Sequence, residues 1–263
     1  MKHKILILLF LIFGLNTALF GENLDKKLSQ KFQSTEILEK NCEKNESKSC
    51  EILAQIYIDQ NITDKADFYI QKSCDLNSEY YCDKLIAKFL RNQDYDKAFI
   101  YAKKNYDLGE PTASHVLAKL YYNGFGVEKN VNLAMDYFKK SCNNNISQSC
   151  SILGNIYQNG SDDILKDENL SMKYFQKSCI NGIYDDCVWS AQLYNLSKDY
   201  QKAVELVNIG CENKNFFSCA YLGIYYKKGL GVKQDNQKAK ELFEIACNGG
   251  FNKACETLKK DYK

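Results

Sequence analysis

Apolar residues return at helical spacing along most of the chain, and whole blocks of that spacing repeat. The blocks align when they are counted from Cys50, Cys82, Ser114, Cys150, Cys187, Cys219 and Cys255. Three positions on stands leucine in six of the seven: Leu53, Leu85, Leu117, Leu153, Leu222 and Leu258. Four positions on comes a small residue in most blocks (Ala54, Ala118, Gly154, Ala191, Gly223), and seven on an aromatic (Tyr57, Phe89, Tyr121, Tyr157, Tyr194, Tyr226, Tyr262). Offsets of 0, 3, 4 and 7 share one helix face, so each block predicts an amphipathic helix, here called helix A. The small residue admits a neighbouring helix closely and the aromatic fills the space one turn later.

The stretch ahead of each block predicts a partner, helix B. It carries Ala66, Ala98, Ala134, Ser171, Ala203 and Ala239. One turn later come large pairs such as Tyr69/Ile70, Tyr137/Phe138, Tyr174/Phe175 and Leu242/Phe243. The chain therefore reads as B, turn, A, loop, B, repeated. Asparagine and glycine mark the B-to-A turns (Asn143–Asn145, Asn181–Gly182). This is the signature of an α/α repeat array, all-α with about seven helix pairs.

Every one of the 12 cysteines belongs to a pair spaced eight apart: Cys42/Cys50, Cys74/Cys82, Cys142/Cys150, Cys179/Cys187, Cys211/Cys219 and Cys247/Cys255. First cysteines recur every 32 to 37 residues, except for one step of 68. That double step hides a repeat with Tyr106 and Ser114 in the cysteine slots. Eight residues of continuous helix span about 12 Å, whereas a disulfide needs Cα atoms within about 7 Å. The chain must turn between paired cysteines. The rival is metal binding, but zinc cysteines usually stand closer together. Only one histidine, His115, lies beyond the first few residues. Disulfides in the order given are expected, with no metal and no cofactor.

Lys2 and Lys4 precede an apolar run, Ile5–Leu15, followed by small residues up to Gly21. This is the order of a secretory signal peptide, and the run is too short for a membrane span of about 20 residues. We expect a signal over 1–21, then one repeat array over 22–263 whose last helix, 255–263, acts as a cap. Removing Lys2 and Lys4 from the 35 basic residues leaves 33 against 33 acidic. A neutral surface does not favour nucleic acid. A secreted or periplasmic monomer without membrane attachment is expected.

Candidate chemistry is sparse. Gly124–Phe125–Gly126–Val127 and Gly229–Leu230–Gly231–Val232 look like pieces of a phosphate loop. Each follows a helix and lacks the remaining phosphate-loop residues, so they read as helix stops. Ser114 beside His115 suggests a nucleophile and base, yet neighbours on a helix point about 100° apart. Asn45, Asn61 and Asn169 each begin Asn-x-Ser/Thr with an acid two places earlier (Glu43, Asp59, Asp167), which matches the extended acceptor of bacterial N-glycosylation.

Leu-Ala/Gly-x-x-Tyr, then Gly-x-Gly-Val, then Ala-x-x-Tyr-Phe resembles Sel1-like repeats, helix pairs related to tetratricopeptide repeats. The added cysteine pairs resemble the Helicobacter cysteine-rich protein family. The resemblance spans nearly the whole chain after residue 21 and implies a right-handed, disulfide-stapled solenoid. That family is labelled as β-lactamases, with penicillin binding and weak ring hydrolysis attributed to some members. It is also discussed as a set of secreted factors that meet host cells. Enzymatic status stays open, because the chain has no Ser-x-x-Lys, Ser-Asp-Asn or Lys-Thr-Gly. The other reading is a binding scaffold whose concave face holds a peptide, peptidoglycan-like or protein ligand. By analogy with tetratricopeptide repeats, offsets five and eight on helix A would line it. They give Gln55, Lys119, Tyr122, Asn155, Gln192 and Asn195 as ligand-binding candidates.

Overall fold

The structure, a computed structural model, describes residues 34–161 and 163–262. The expected signal segment lies outside them. All regular structure among the described residues is helical. Helix α1 covers 34–43. It is followed by α2 (Ser47–Asp59), α3 (Thr63–Asp75), α4 (Glu79–Arg91), α5 (Tyr95–Asp107), α6 (Pro111–Asn123) and α7 (Val131–Asn143). Then come α8 (Ser147–Asn159), α9 (Glu168–Ile180), α10 (Asp185–Leu196), α11 (Tyr200–Glu212), α12 (Phe216–Lys228), α13 (Asn236–Asn248) and α14 (Asn252–Asp261). Even-numbered helices are A and odd-numbered helices are B. The last helix begins three residues ahead of Cys255, because Phe251 and Asn252 already follow the turn at Gly250 (φ 92°). No described helix is long and apolar enough to cross a membrane.

The chain forms two compact units, the first ending at Lys88 and the second starting at Phe89. The first holds the disulfides Cys42–Cys50 and Cys74–Cys82; its Tyr81 hydroxyl donates to the carbonyl of Glu51 on the previous A helix at 2.8 Å. The second holds Cys142–Cys150, Cys179–Cys187, Cys211–Cys219 and Cys247–Cys255. Each disulfide ties helix B to the next helix A, with Cα atoms 4.5 to 4.8 Å apart.

Packing inside each repeat follows the sequence code. Leu53, Leu85, Leu117, Leu153 and Leu222 are buried, as are the B-helix alanines 66, 98, 134, 203 and 239. Burying a leucine side chain is worth about 1.5–3 kcal/mol. At the small position, a Cβ on Gly154 would stand 2.7 Å from the Phe175 ring, and one on Gly223 would stand 3.0 Å from Phe243. The aromatic at offset seven lies parallel to a tyrosine of the next B helix: Tyr57 on Tyr69 at 5.5 Å, Phe89 on Tyr101 at 5.5 Å, Tyr121 on Tyr137 at 5.8 Å and Tyr157 on Tyr174 at 5.7 Å. Such offset pairs add to the area they bury.

Local chemistry sets the helix ends. Asp94, Asn130, Asp167, Asp199, Asn215 and Asp235 cap the N-termini of α5, α7, α9, α11, α12 and α13. Gly124 and Gly229 end α6 and α12 in the left-handed conformation. The glycine motifs thus act as stops. Gly126 also brings its loop against α5, where an added Cβ would lie 2.2 Å from the Tyr95 carbonyl oxygen.

Candidate functional site

The A helices of the second unit carry most of the candidate side chains. Lys119 is exposed on α6, with Tyr122 half-buried one turn on and its ring edge-to-face with Phe138 at 6.2 Å. Asn155 is exposed on α8, and its Nδ2 donates to the carbonyl of Ser151 on the same helix at 2.9 Å. Gln192 is half-buried on α10, where its Nε2 donates to the Tyr221 hydroxyl on α12 at 2.9 Å. Asn195 is exposed at the end of α10. Gln55 belongs to the first unit, where its Nε2 donates to Asp59 at 2.7 Å. The amides of Asn155 and Gln192 therefore already have intramolecular acceptors. Each amide keeps its carbonyl oxygen and its second N–H for a partner.

A second row of side chains on the same helices escaped the sequence reading. Two positions after the second cysteine slot of α6, α8, α10 and α12 stand Val116, Ile152, Trp189 and Tyr221. Trp189, the single tryptophan, is 41% exposed. This offset precedes offset five by three residues, so both rows share a helix face. That spacing was the available signal.

The face is notable for what it lacks. Helix α8, 13 residues long, has no ionisable acid or base apart from Tyr157. Its solvent-facing positions are Gln148, Ser151, Ile152, Asn155, Gln158 and Asn159. Charge on α10 is confined to Asp185 and Asp186 in its first turn, and on α12 to Lys227 and Lys228 in its last. The neighbouring B helices carry charge along their length, as Asp136, Lys139 and Lys140 do on α7 and Lys238, Lys240, Glu241 and Glu244 do on α13.

His115 does not meet Ser114. The Ser114 hydroxyl is buried and donates to the Pro111 carbonyl at 2.6 Å. The His115 Nδ1 instead lies 2.7 Å from the Ser149 hydroxyl on α8, which contacts the Ser141 hydroxyl at 2.8 Å. Burial, aided by the nearby Lys119 charge, lowers the histidine pKa to about 4, so the ring is neutral at ordinary pH. Ser149 is buried. A substrate carbonyl has no approach to its oxygen, and the contact joins helices instead of forming a nucleophile and base. Ser141 and Ser149 each directly precede a cysteine. The same slots hold Ser178 and Asp186 at the next corner, and Gly210 and Ser218 at the one after. These are buried, matched pairs that the cysteine alignment could have exposed. Burial pushes the Asp186 carboxyl above its ordinary range, an effect partly countered by the hydroxyls of Ser178 and Ser151.

Beside His115 lies a cleft of roughly 300 Å³ lined by Leu90, Tyr95, Val116, Lys119, Leu120 and Phe125. It opens at the Lys119 end of the uncharged face. Among the described residues no cluster of histidine, cysteine and acidic side chains could hold a metal ion.

Repeated helix pairs with this internal code match the Sel1 repeat at residues 90–110, 111–146, 147–183, 192–215 and 217–251. The chain belongs to the Sel1 repeat family. Every matched segment lies in the second unit. Among solved structures it is similar to a Sel1 repeat protein from Oxalobacter formigenes, with 22% identity over 80% of this chain and 88% of that one and a TM-score of 0.61. It is also similar to c5321, a protective antigen of uropathogenic Escherichia coli, with 17% identity over 87% of this chain and 59% of that one and a TM-score of 0.52. Helicobacter pylori cysteine-rich protein B aligns at 25% identity over 49% of this chain and 96% of that one, with a TM-score of 0.38. No curated protein matches. The repeat matches and the first two of these structures establish the α/α solenoid of Sel1-like repeats. A repeat scaffold of this kind fits protein interaction, and six disulfides fit an oxidising environment outside the cytoplasm.

Proposed function

We propose that this protein is an exported, secreted or periplasmic scaffold that holds a peptide or protein ligand on the A-helix face of its second unit. One observation carries the reading: solvent-facing positions of α8, α10 and the first turns of α12 bear amide, hydroxyl and aromatic side chains where the rest of the surface bears charge. Loss of charge with gain of Trp and Tyr is the compositional mark of interface cores, and such aromatics dominate binding energy when buried by a partner. Trp189 and Tyr221 are the expected anchors. The carbonyl oxygens of Asn155 and Gln192 would accept from a ligand backbone, and Lys119 would meet an acidic group at the edge. Disulfides at the corners keep the rods from shifting, which lowers the ordering cost of binding.

The test is a peptide library panned against the oxidised protein, followed by calorimetry on recovered ligands. Trp189→Ala should weaken binding at least tenfold, and the Asn155→Ala/Gln192→Ala pair should weaken it several-fold. Equal binding by all variants would remove this face from consideration. A chromogenic cephalosporin assay tests the hydrolase alternative; turnover abolished by a single substitution would displace the scaffold reading.

A further inference from the structure

Three sequence motifs remain outside the binding face: the acceptor-like Asn45, Asn61 and Asn169. The structure separates them. All three asparagines are exposed. At Asn169 the fold accounts for every residue of the motif. Asp167 caps α9 by accepting from the Leu170 N–H at 2.9 Å. The Ser171 hydroxyl is buried and donates to the Gly154 carbonyl at 2.9 Å. Asn169 itself lies within the first turn of α9.

At the other two, the fold accounts for less. Asn45 and Asn61 sit in the turns after α1 and α2 with φ of 67° and 56°, a conformation that asparagine tolerates. Ser47 and Thr63 are the first residues of α2 and α3. Turn chemistry therefore explains the asparagine and the hydroxyl, and the same pattern recurs without an acid at Asn145, whose φ is 64° and which precedes α8. It does not explain Glu43, while Asp59 accepts from the Gln55 Nε2 at 2.7 Å. Glu43 is the final residue of α1 and Asp59 the final residue of α2. A carboxylate there faces the negative end of the helix dipole, which costs about 0.3–1 kcal/mol. Acids also end four other described helices, at Asp75, Asp107, Glu212 and Asp261, but only after Glu43 and Asp59 does an Asn-x-Ser/Thr motif begin two places on. Acids stand two places ahead of three of the six Asn-x-Ser/Thr motifs beyond residue 33, at 45, 61, 145, 159, 169 and 195. Neither the Asn45 nor the Asn61 side-chain amide has a hydrogen bond among the described residues. Beside Asn45 lies an open hollow flanked by Phe68 and Leu76, and Phe68 is 59% exposed. That apolar ledge suits the flat face of a first sugar.

We propose that Asn45 and Asn61 are N-glycosylation sites and that Asn169 is not. The donor class is an oligosaccharide linked to a lipid through pyrophosphate. The asparagine Nδ2 forms a bond to C1 of the first sugar, the C1–oxygen bond to pyrophosphate breaks, the lipid pyrophosphate departs, and the amide proton passes to a base of the transferring enzyme. Glu43 and Asp59 would be the acidic determinants that the transferring enzyme reads. The proposal rests on the export reading above.

The test is intact-mass and glycopeptide analysis of the full chain recovered from the exported fraction of the cells that make it. The expected mass exceeds the six-disulfide polypeptide by two glycans. Asn45→Gln and Asn61→Gln should each remove one, Asn169→Gln none. Glu43→Gln and Asp59→Asn should lower occupancy at their sites severalfold without loss of helix content. An exported, unmodified polypeptide would overturn this inference alone. A cytoplasmic, reduced chain would overturn the export reading with it. A glycan at Asn169 in place of the other two would also overturn the assignment.

Discussion

Two corners of the second unit, one crosslinked and one not, have nearly the same backbone. Between α7 and α8, Cys142 and Cys150 form a disulfide with Cα atoms 4.8 Å apart. The Asn145 N–H donates to the Cys142 carbonyl at 3.0 Å and the Ile146 N–H to the Ser141 carbonyl at 3.2 Å. Between α5 and α6 the cysteine slots hold Tyr106 and Ser114. There the Gly109 N–H donates to the Tyr106 carbonyl at 3.0 Å and the Glu110 N–H to the Asn105 carbonyl at 3.2 Å. Each turn contains a left-handed residue, Asn145 at φ 64° and Gly109 at φ 101°. The corner is thus shaped by turn hydrogen bonds and by the packed leucines on either side. The disulfide locks a geometry that forms without it. At the open corner other contacts take its place: Pro111 starts α6, and the Tyr106 hydroxyl contacts the Lys140 ammonium, which also lies over the Tyr106 ring.

The strongest challenge to this comparison is to remove the crosslink where it exists. Cys142→Ala with Cys150→Ala should lower stability by about 2.6 kcal/mol, the chain-entropy value for a nine-residue loop. Circular dichroism should show the same helix content before denaturation. Loss of helix in the folded state would mean that the disulfide creates the corner. The converse is a smaller effect. Tyr106→Cys with Ser114→Cys should oxidise spontaneously and raise the unfolding free energy by about 1–2 kcal/mol, because the crosslink's gain is offset by the lost tyrosine contacts. Two free thiols in the purified variant would show that the open corner differs in shape.

A third test concerns the histidine that links α6 to the crosslinked corner. The folded pKa of His115 is about 4 against an ordinary 6.5, so the unfolded chain takes up the proton first. Its contribution to stability is full above pH 6.5, falls as pH drops toward 4, and levels off below. Thermal melts from pH 7 to 4 should show a shallower decline for His115→Gln than for the parent. Parallel curves would place the histidine in water.

Much of the fold was legible in the sequence. The offsets of Leu53, Gly154 and Tyr157, the paired alanines of helix B and the glycines 124 and 229 all act over a few residues or between adjacent helices. A repeat presents that local information many times. The candidate binding face was only partly legible. Offsets five and eight point to Lys119, Tyr122, Asn155, Gln192 and Asn195, whereas Ile152, Trp189 and Tyr221 at offset two carry no apolar-core signal and stand out only by the missing charge around them.

What the sequence determined by itself is the helix register, the corner positions and which cysteines face one another across a turn, because each depends on partners no more than eight residues away. The tertiary structure decided what each polar group touches. His115 finds Ser149, 34 residues along the chain, and Gln192 finds Tyr221, 29 along. Such pairings depend on how successive A helices stack, and a side chain on an exposed helical position has the same local signal whether its partner is water, a neighbouring repeat or a ligand.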